Sequence, residues 1–336
     1  MKKFPSIEQF RNVVREVKTK HDFKGLDESG DPIYSHDDPY PILDFVGTVK
    51  LHGTNASIVK YSNGEIKFQS RESEISPSQD NAGFATYMSS QDISGLFSGL
   101  PFNDYIAIYG EWCGGNIQKG VAINGLPKMF IIFGIKIDDI WYDVTDFSDV
   151  SFWESNWNPI NIYHINQFPT FRITIDFNYP QLSQNDLIEL TKKVEDECPV
   201  GKYFGNSGVG EGIVWNCLGD KYRDLVFKVK GDKHSVSRVS KPASVDIANL
   251  EDIKDFVELS VQEARLLQGL DKLRENGKVV NEKSTGDFIR WVVKDVMKEE
   301  ADTIESNKFD LGKINSLIAQ KSREWYFDYI RREIFS

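Results

Sequence analysis

Near Pro242 the hydrophobic pattern of this chain changes period, and that change limits the architectures open to it. Upstream, apolar residues alternate or run in short blocks between turn residues, as in strands with one or both faces covered. Downstream they return at intervals of three and four, as on the buried stripe of a helix. The 336 residues suit two domains of ordinary size. The pattern predicts a mixed α/β domain over residues 1–240 with mostly antiparallel strands, then a small all-α domain over 245–336, joined by the polar stretch 235–244. No internal repeat or low-complexity tract competes with that division.

Strands are expected at 45–50, 56–61, 65–70, 105–111, 129–137, 141–144, 170–175, 212–217 and 225–230. Ser62-Asn63-Gly64 reads as a hairpin turn, and Asp138-Asp139 and Gly219-Asp220 as further turns. One helix is expected at 185–195. Another should follow Ser6, which stands three residues before Gln9 in capping-box spacing and ahead of Phe10, Val13, Val14 and Val17. Between residues 27 and 44 six acids and no Lys or Arg lie among Gly30, Pro32, Pro39 and Pro41, which predicts an acidic connector rather than an element. In the second part, Ile253, Phe256, Val257 and Val261 mark one helical segment, and Phe288, Trp291, Val292 and Val296 another. Ile314, Leu317, Ile318, Tyr326, Tyr329 and Ile330 mark a third, with Gly269, Gly277 and Gly286 between the segments or at their ends.

Lys and Arg number 40 against 51 Asp and Glu, a net charge of −11. Taken alone, that balance ranks a polyanion low among partners, because phosphates are held by Lys and Arg. The charge is unevenly spread, however. Between residues 221 and 241, Lys221, Arg223, Lys228, Lys230, Lys233, Arg238 and Lys241 face only Asp224 and Asp232, so a cationic cleft can exist in an acidic chain. Cys113, Cys198 and Cys217 are too few and too scattered for a disulfide framework or a CxxC metal site, and fit a reducing compartment. No stretch approaches the ~18 apolar residues of a membrane span, and the N-terminal residues lack the apolar core of a signal peptide. A soluble, cytoplasmic protein without a membrane partner is expected.

Four strings carry possible chemistry, each at a predicted strand. Lys50-Leu51-His52-Gly53-Thr54-Asn55 follows an apolar strand, and Glu111 closes another in Tyr109-Gly110-Glu111-Trp112. Glu211 opens a strand in Glu211-Gly212-Ile213-Val214, and Lys228 and Lys230 project to one side of the last. Lys50 alone could be an ordinary surface lysine. As a nucleophile it would have to be neutral, which burial or neighbouring cations favour. Lys228 and Lys230 would supply such cations and would also neutralise phosphate charge. Gly53 would let backbone approach a phosphate.

Taken together, Lys50-x-His-Gly-x-Asn, Glu111, Glu211-Gly and Lys228-x-Lys230 resemble motifs I, III, IV and V of the covalent nucleotidyltransferases. The His-Gly-Thr-Asn form of the first motif, and Gly115-Asn116-Ile117-Gln118-Lys119 after the second, are similar to the phage-type RNA ligase 2 family, which includes the kinetoplastid RNA-editing ligases. The resemblance implies an α+β nucleotidyltransferase domain, ATP-grasp-like, followed by a small all-α domain. It implies an ATP-dependent RNA ligase using Mg²⁺ or Mn²⁺, monomeric, acting on 3′-OH and 5′-phosphate ends at nicks in duplex RNA. A phage-encoded enzyme in a host cytoplasm is one setting it implies. A DNA ligase or capping-type nucleotidyltransferase is the alternative enzyme reading, disfavoured by the helical C-terminal part, where those enzymes carry an OB-fold barrel. A non-catalytic module binding nucleic-acid ends is the alternative outside enzymes.

The resemblance also implies roles. Lys50 would take AMP as a phosphoramidate; Arg71 would engage the nucleotide and the RNA end; Glu111 would bond the ribose; Phe133 would stack on adenine. Glu211 would bind the divalent ion, Lys228 and Lys230 the α-phosphate, and His52 and Asn55 would help hold the nucleotide. Val49 and Ser70 depart from the family, standing where some members carry a glutamate and a lysine. Gly208-x-Gly210-x-Gly212 lacks the Gly-Lys-Ser/Thr ending of a P-loop and reads as an approach to Glu211. Trp112, Trp215, Cys113 and Cys217 read as core.

Overall fold

The computed structural model describes residues 1–142, 150–218, 222–241 and 243–335. The end of the strand expected at 141–144, the Gly219-Asp220 turn, Lys221 and Pro242 lie outside the described residues. The chain divides into two compact units, Met1–Gly231 and Asp232–Ser336.

The first unit begins with β1 (Glu8–Gln9), α1 (Phe10–Asp22), β2 (Phe23–Leu26), β3 (Pro32–Tyr34), β4 (Ile42–Lys50), β5 (Thr54–Tyr61), β6 (Ile66–Ser70) and β7 (Glu74–Ile75). It continues with α2 (Phe84–Ser89), β8 (Tyr105–Cys113), β9 (Met129–Ile137), β10 (Ile140–Trp141), α3 (Val150–Asn156), β11 (Ile162–His164) and β12 (Phe171–Asp176). After these come α4 (Gln184–Asp196), α5 (Pro199–Tyr203), β13 (Gly212–Leu218) and β14 (Val226–Lys230). Among the described residues, a first sheet has the order β1-β14-β13-β4-β12. A second has the order β10-β9-β8-β5-β6-β7, with β11 beside β9, while β2 and β3 form a separate hairpin. Pairing is antiparallel apart from β1 with β14 and β11 with β9.

The apolar run of β4 puts it inside the first sheet, between β13 and β12. The stripe of α1 lays Phe10, Val13, Val14 and Val17 onto that sheet, with the Phe10 ring 5.0 Å from Phe227 and Phe227 5.3 Å from Phe45. One face of the second sheet packs Phe84 and Met88 of α2 with Trp112, Phe130, Ile132, Trp153 and Trp157. Its other face carries Tyr105 and Tyr109, against which Phe4, Phe133 and Trp141 pack. Trp112, Trp215, Cys113 and Cys217 are buried in the core.

Two local expectations are corrected. Ser6 does not cap α1, because Glu8 and Gln9 pair in parallel with Phe227 and Lys228 and so spend their backbone on the sheet edge. Gln9 occupies the N-cap position, and its side chain does not cap the helix. The acidic stretch is not all connector: β2 and β3 pair across it, and Asp27 Oδ1 closes their turn by accepting from the Ser29 and Asp31 N–H groups at 2.8 and 2.9 Å.

The second unit, described residue by residue, is helical: α6 (Ile253–Ser260), α7 (Glu263–Glu275), α8 (Thr285–Glu299), α9 (Ala301–Ser306) and α10 (Leu311–Phe335). Phe256, Leu266, Leu270, Phe288, Val292, Ile314, Ile318 and Tyr326 form its core. The expectation that Gly269 lies between or at the ends of helices fails, since it is central in α7. A Cβ there would lie 2.8 Å from Phe288 Cε2, so glycine is what lets α7 and α8 close together. No helix among the described residues is long and apolar enough to cross a membrane.

Candidate active site

The chain leaves the first sheet at Lys50, the last residue of β4, and enters the second at Thr54, the first of β5. Leu51, His52 and Gly53 therefore cross the seam between the sheets. In the first sheet β13 lies directly beside β4, pairing Gly212 with Lys50, which brings Glu211 to the lysine. Lys50 Nζ lies 2.7 Å from Glu211 Oε2, and Lys230 Nζ, from β14, lies 2.9 Å from Glu211 Oε1. His52 Nδ1 lies 3.1 Å from the same carboxylate. From the second sheet, Glu111 Oε1 accepts the Gly53 N–H at 3.0 Å.

One buried carboxylate thus serves two ammonium groups, and the titration behaviour follows. Burial pushes the Glu211 carboxyl up, but Lys230, Lys50 and His52 outweigh it and hold it well below the usual carboxylate range. Burial lowers the Lys50 ammonium; Glu211 opposes this, Lys230 reinforces it, and the net direction is down. Two ammonium groups on one carboxylate leave a surplus positive charge, which favours loss of the Lys50 proton. This agrees with the requirement that a lysine nucleophile be neutral.

Glycines admit this convergence. A Cβ on Gly53 would stand 2.5 Å from the Trp112 carbonyl oxygen and 2.7 Å from Cys113 Cβ. The glycine serves close packing on β8. Gly53→Ala should therefore cost about 1–3 kcal/mol through overpacking against backbone. A thermal melt unchanged from wild type would contradict that contact. On either side of Glu211, a Cβ on Gly210 or Gly212 would meet the Val194 or Val229 carbonyl oxygen at 2.4 or 2.2 Å. That is the use of the glycine run.

The remaining candidates surround this group at varying remove. Asn55 sits opposite Glu111 in the β5–β8 register. Lys228 lies two residues before Lys230 on β14, on the same side of the strand. Arg71 follows β6, and its described hydrogen bond, from Nη2, goes to Ser6 Oγ at 3.4 Å rather than to the Lys50 cluster. Phe133, half-buried, packs edge-on against Phe4 with centroids 5.0 Å apart. Val49 is buried in the core. Sequence reasoning missed a brace behind Thr54: buried Asn81 Nδ2 donates to Thr54 Oγ1 at 2.9 Å. The next residue, Ala82, takes a left-handed φ of 52° and accepts from Trp112 Nε1 at 3.1 Å and Lys128 Nζ at 2.7 Å. Only the Asn-Ala-Gly turn composition could have hinted at it.

A lysine, two carboxylates and a second lysine are gathered where the two sheets meet on an α+β scaffold. The RNA ligase family model matches residues 43–230, more than half of the chain, and the chain belongs to that family. Among solved structures, a Naegleria gruberi RNA ligase variant with ATP and Mn is similar at 18% identity and a TM-score of 0.45, covering 68% of this chain and 56% of that one. The same organism's RNA ligase with PPi is similar at 19% identity and a TM-score of 0.45, covering 69% and 56%. This chain thus matches little more than half the length of those proteins. No curated protein matches it.

Proposed function

We propose that this chain is an ATP-dependent RNA ligase that joins 3′-OH and 5′-phosphate ends through a lysyl-AMP on Lys50 and an adenylated RNA. The observation that carries the reading is Lys50 itself: half-buried, at the sheet seam, and sharing the buried Glu211 carboxylate with Lys230. Neutral Lys50 Nζ attacks the α-phosphorus of ATP and the bond to pyrophosphate breaks. An oxygen of the RNA 5′-phosphate then displaces the lysine, breaking the P–N bond and leaving a 5′-5′ adenylated end. Finally the 3′-OH attacks the 5′-phosphorus and AMP leaves.

Each step is a displacement at phosphorus, so one set of cations serves all three. Lys228 and Lys230 take the α-phosphate, Glu111 the ribose, Phe133 the adenine face, and His52, Asn55 and Arg71 steady the nucleotide and the RNA end. The donors fit a divalent ion that arrives with the nucleotide. Glu211 offers hard oxygens, and among the described residues no three His, Cys, Asp or Glu side chains form a metal cage, so phosphates would complete the shell. Mg²⁺ or Mn²⁺ bound there would add positive charge at the phosphates and compete with Lys50 for Glu211.

The likeness of the Lys50 and Glu111 motifs to the phage-type RNA ligase 2 family supports nicked duplex RNA as the substrate, with the helical unit gripping the flanking duplex. The test compares sealing of nicked RNA duplexes, nicked DNA duplexes and single-stranded RNA. Sealing of RNA nicks with ATP and a divalent ion is expected. Sealing confined to DNA, or a dependence on GTP with transfer to a 5′-diphosphate end, would overturn the reading.

A further inference from the structure

The β2–β3 hairpin stands apart from both large sheets and has no part in the site above. Four of its large apolar side chains face water: Phe23 (44% exposed), Leu26 (64%), Ile33 (46%) and Tyr34 (50%). Among the described residues each strand pairs only with the other, so both outer edges keep unpaired backbone groups. Proteins normally blunt such edges, and an exposed apolar one marks a partner site. The base is held firmly. Buried Asp22 has His36 Nδ1 at 2.8 Å, accepts from Tyr40 Oη at 3.2 Å, and its carbonyl accepts the Ser35 N–H at 2.9 Å. The tip is closed by Asp27.

Charge selects the partner. Asp27, Glu28 and Asp31 lie in the turn between the strands and Asp37 and Asp38 just after β3, and Lys24, the only Lys or Arg from 23 to 38, is paired with Asp38 at 3.1 Å. Phosphates would be repelled, which excludes RNA. A second copy pairing through the same arm would set acids against acids.

We propose that the β2–β3 hairpin is a docking arm for a basic, strand-forming segment of another protein, which adds to an open edge while its lysines meet these carboxylates.

The probe is a short fluorescein-labelled peptide in which lysine alternates with valine and tyrosine, with a glutamate-for-lysine peptide as control. The full chain is expected to raise the anisotropy of the basic peptide only, with amide NMR shifts confined to the hairpin and its base. Two variants, Leu26→Ser with Ile33→Ser, and Asp27→Asn with Glu28→Gln and Asp31→Asn, should each bind it roughly tenfold more weakly. Self-adenylylation should be unchanged in both. The proposal is overturned if the basic peptide does not bind, if both variants bind it as wild type does, or if both peptides bind equally. It is also overturned if the arm mediates a concentration-dependent dimer lost in Leu26→Ser with Ile33→Ser, or if Tyr34 crosslinks to duplex RNA.

Discussion

Replacing Glu211 with glutamine is expected to cost about 3 kcal/mol of stability near neutral pH, the range for breaking a buried ion pair. Self-adenylylation should fall by roughly two to three orders of magnitude. Glutamine keeps the size of the side chain but leaves Lys50 and Lys230 facing each other without the carboxylate that lies 2.7 and 2.9 Å from them. The sign of the pH dependence is fixed. With its counter-charge gone, burial and Lys230 lower the Lys50 ammonium further, so the unfolded chain binds more protons than the folded one over the pH range between the two values. Stability of the variant then rises with pH across that window, and its deficit against wild type shrinks as the pH rises through it. Urea melts at several pH values measure this. A deficit independent of pH would mean that Glu211 acts by shape and not by charge.

Lys230→Ala should move the pH–rate profile of single-turnover adenylylation to higher pH. Lys230 lowers Lys50, second to burial among the influences acting in that direction, and it shares the carboxylate that steadies the Lys50 ammonium. Without it, Lys50 has Glu211 to itself and keeps its proton longer. At neutral pH the neutral fraction falls, and a cation at the phosphate is lost as well. A loss of roughly a hundredfold or more is expected, partly recovered at alkaline pH. Lys230→Arg should restore most of the midpoint, because it restores the charge. An unchanged midpoint in Lys230→Ala, with only the rate reduced, would confine Lys230 to phosphate binding and remove it from control of Lys50.

The strands of the first unit were legible because each central run, such as Phe45 to Lys50 or Met129 to Ile137, is buried by the same periodicity that marks it in the sequence. The convergence of Lys50, Glu211 and Lys230 was legible only as motif strings; the register of β4, β13 and β14 is what turns them into a cluster. What escaped was decided by distant partners. Glu8 and Gln9 form a strand because β14 offers an edge, and the acidic stretch forms a hairpin because Asp27 closes its turn. Neither depends on local periodicity. The packing constraint on Gly53 escaped for the same reason: it comes from the backbone of Trp112, 59 positions along the chain, which no local pattern reveals. The second compact unit begins at Asp232, ahead of the polar stretch 235–244, because solvation of a segment and its membership of a packed unit are separate properties.

The central claim is that Lys50 is the residue that receives AMP. Protein freed of bound nucleotide is incubated with α-labelled ATP and Mg²⁺ or Mn²⁺, quenched, digested and mapped, alongside Lys50→Ala. The account predicts acid-labile label, as expected of a P–N bond, on the peptide containing Lys50, and none on a folded Lys50→Ala protein. Label on another residue, label retained by Lys50→Ala, or wild-type protein that stays unlabelled with either metal would contradict it.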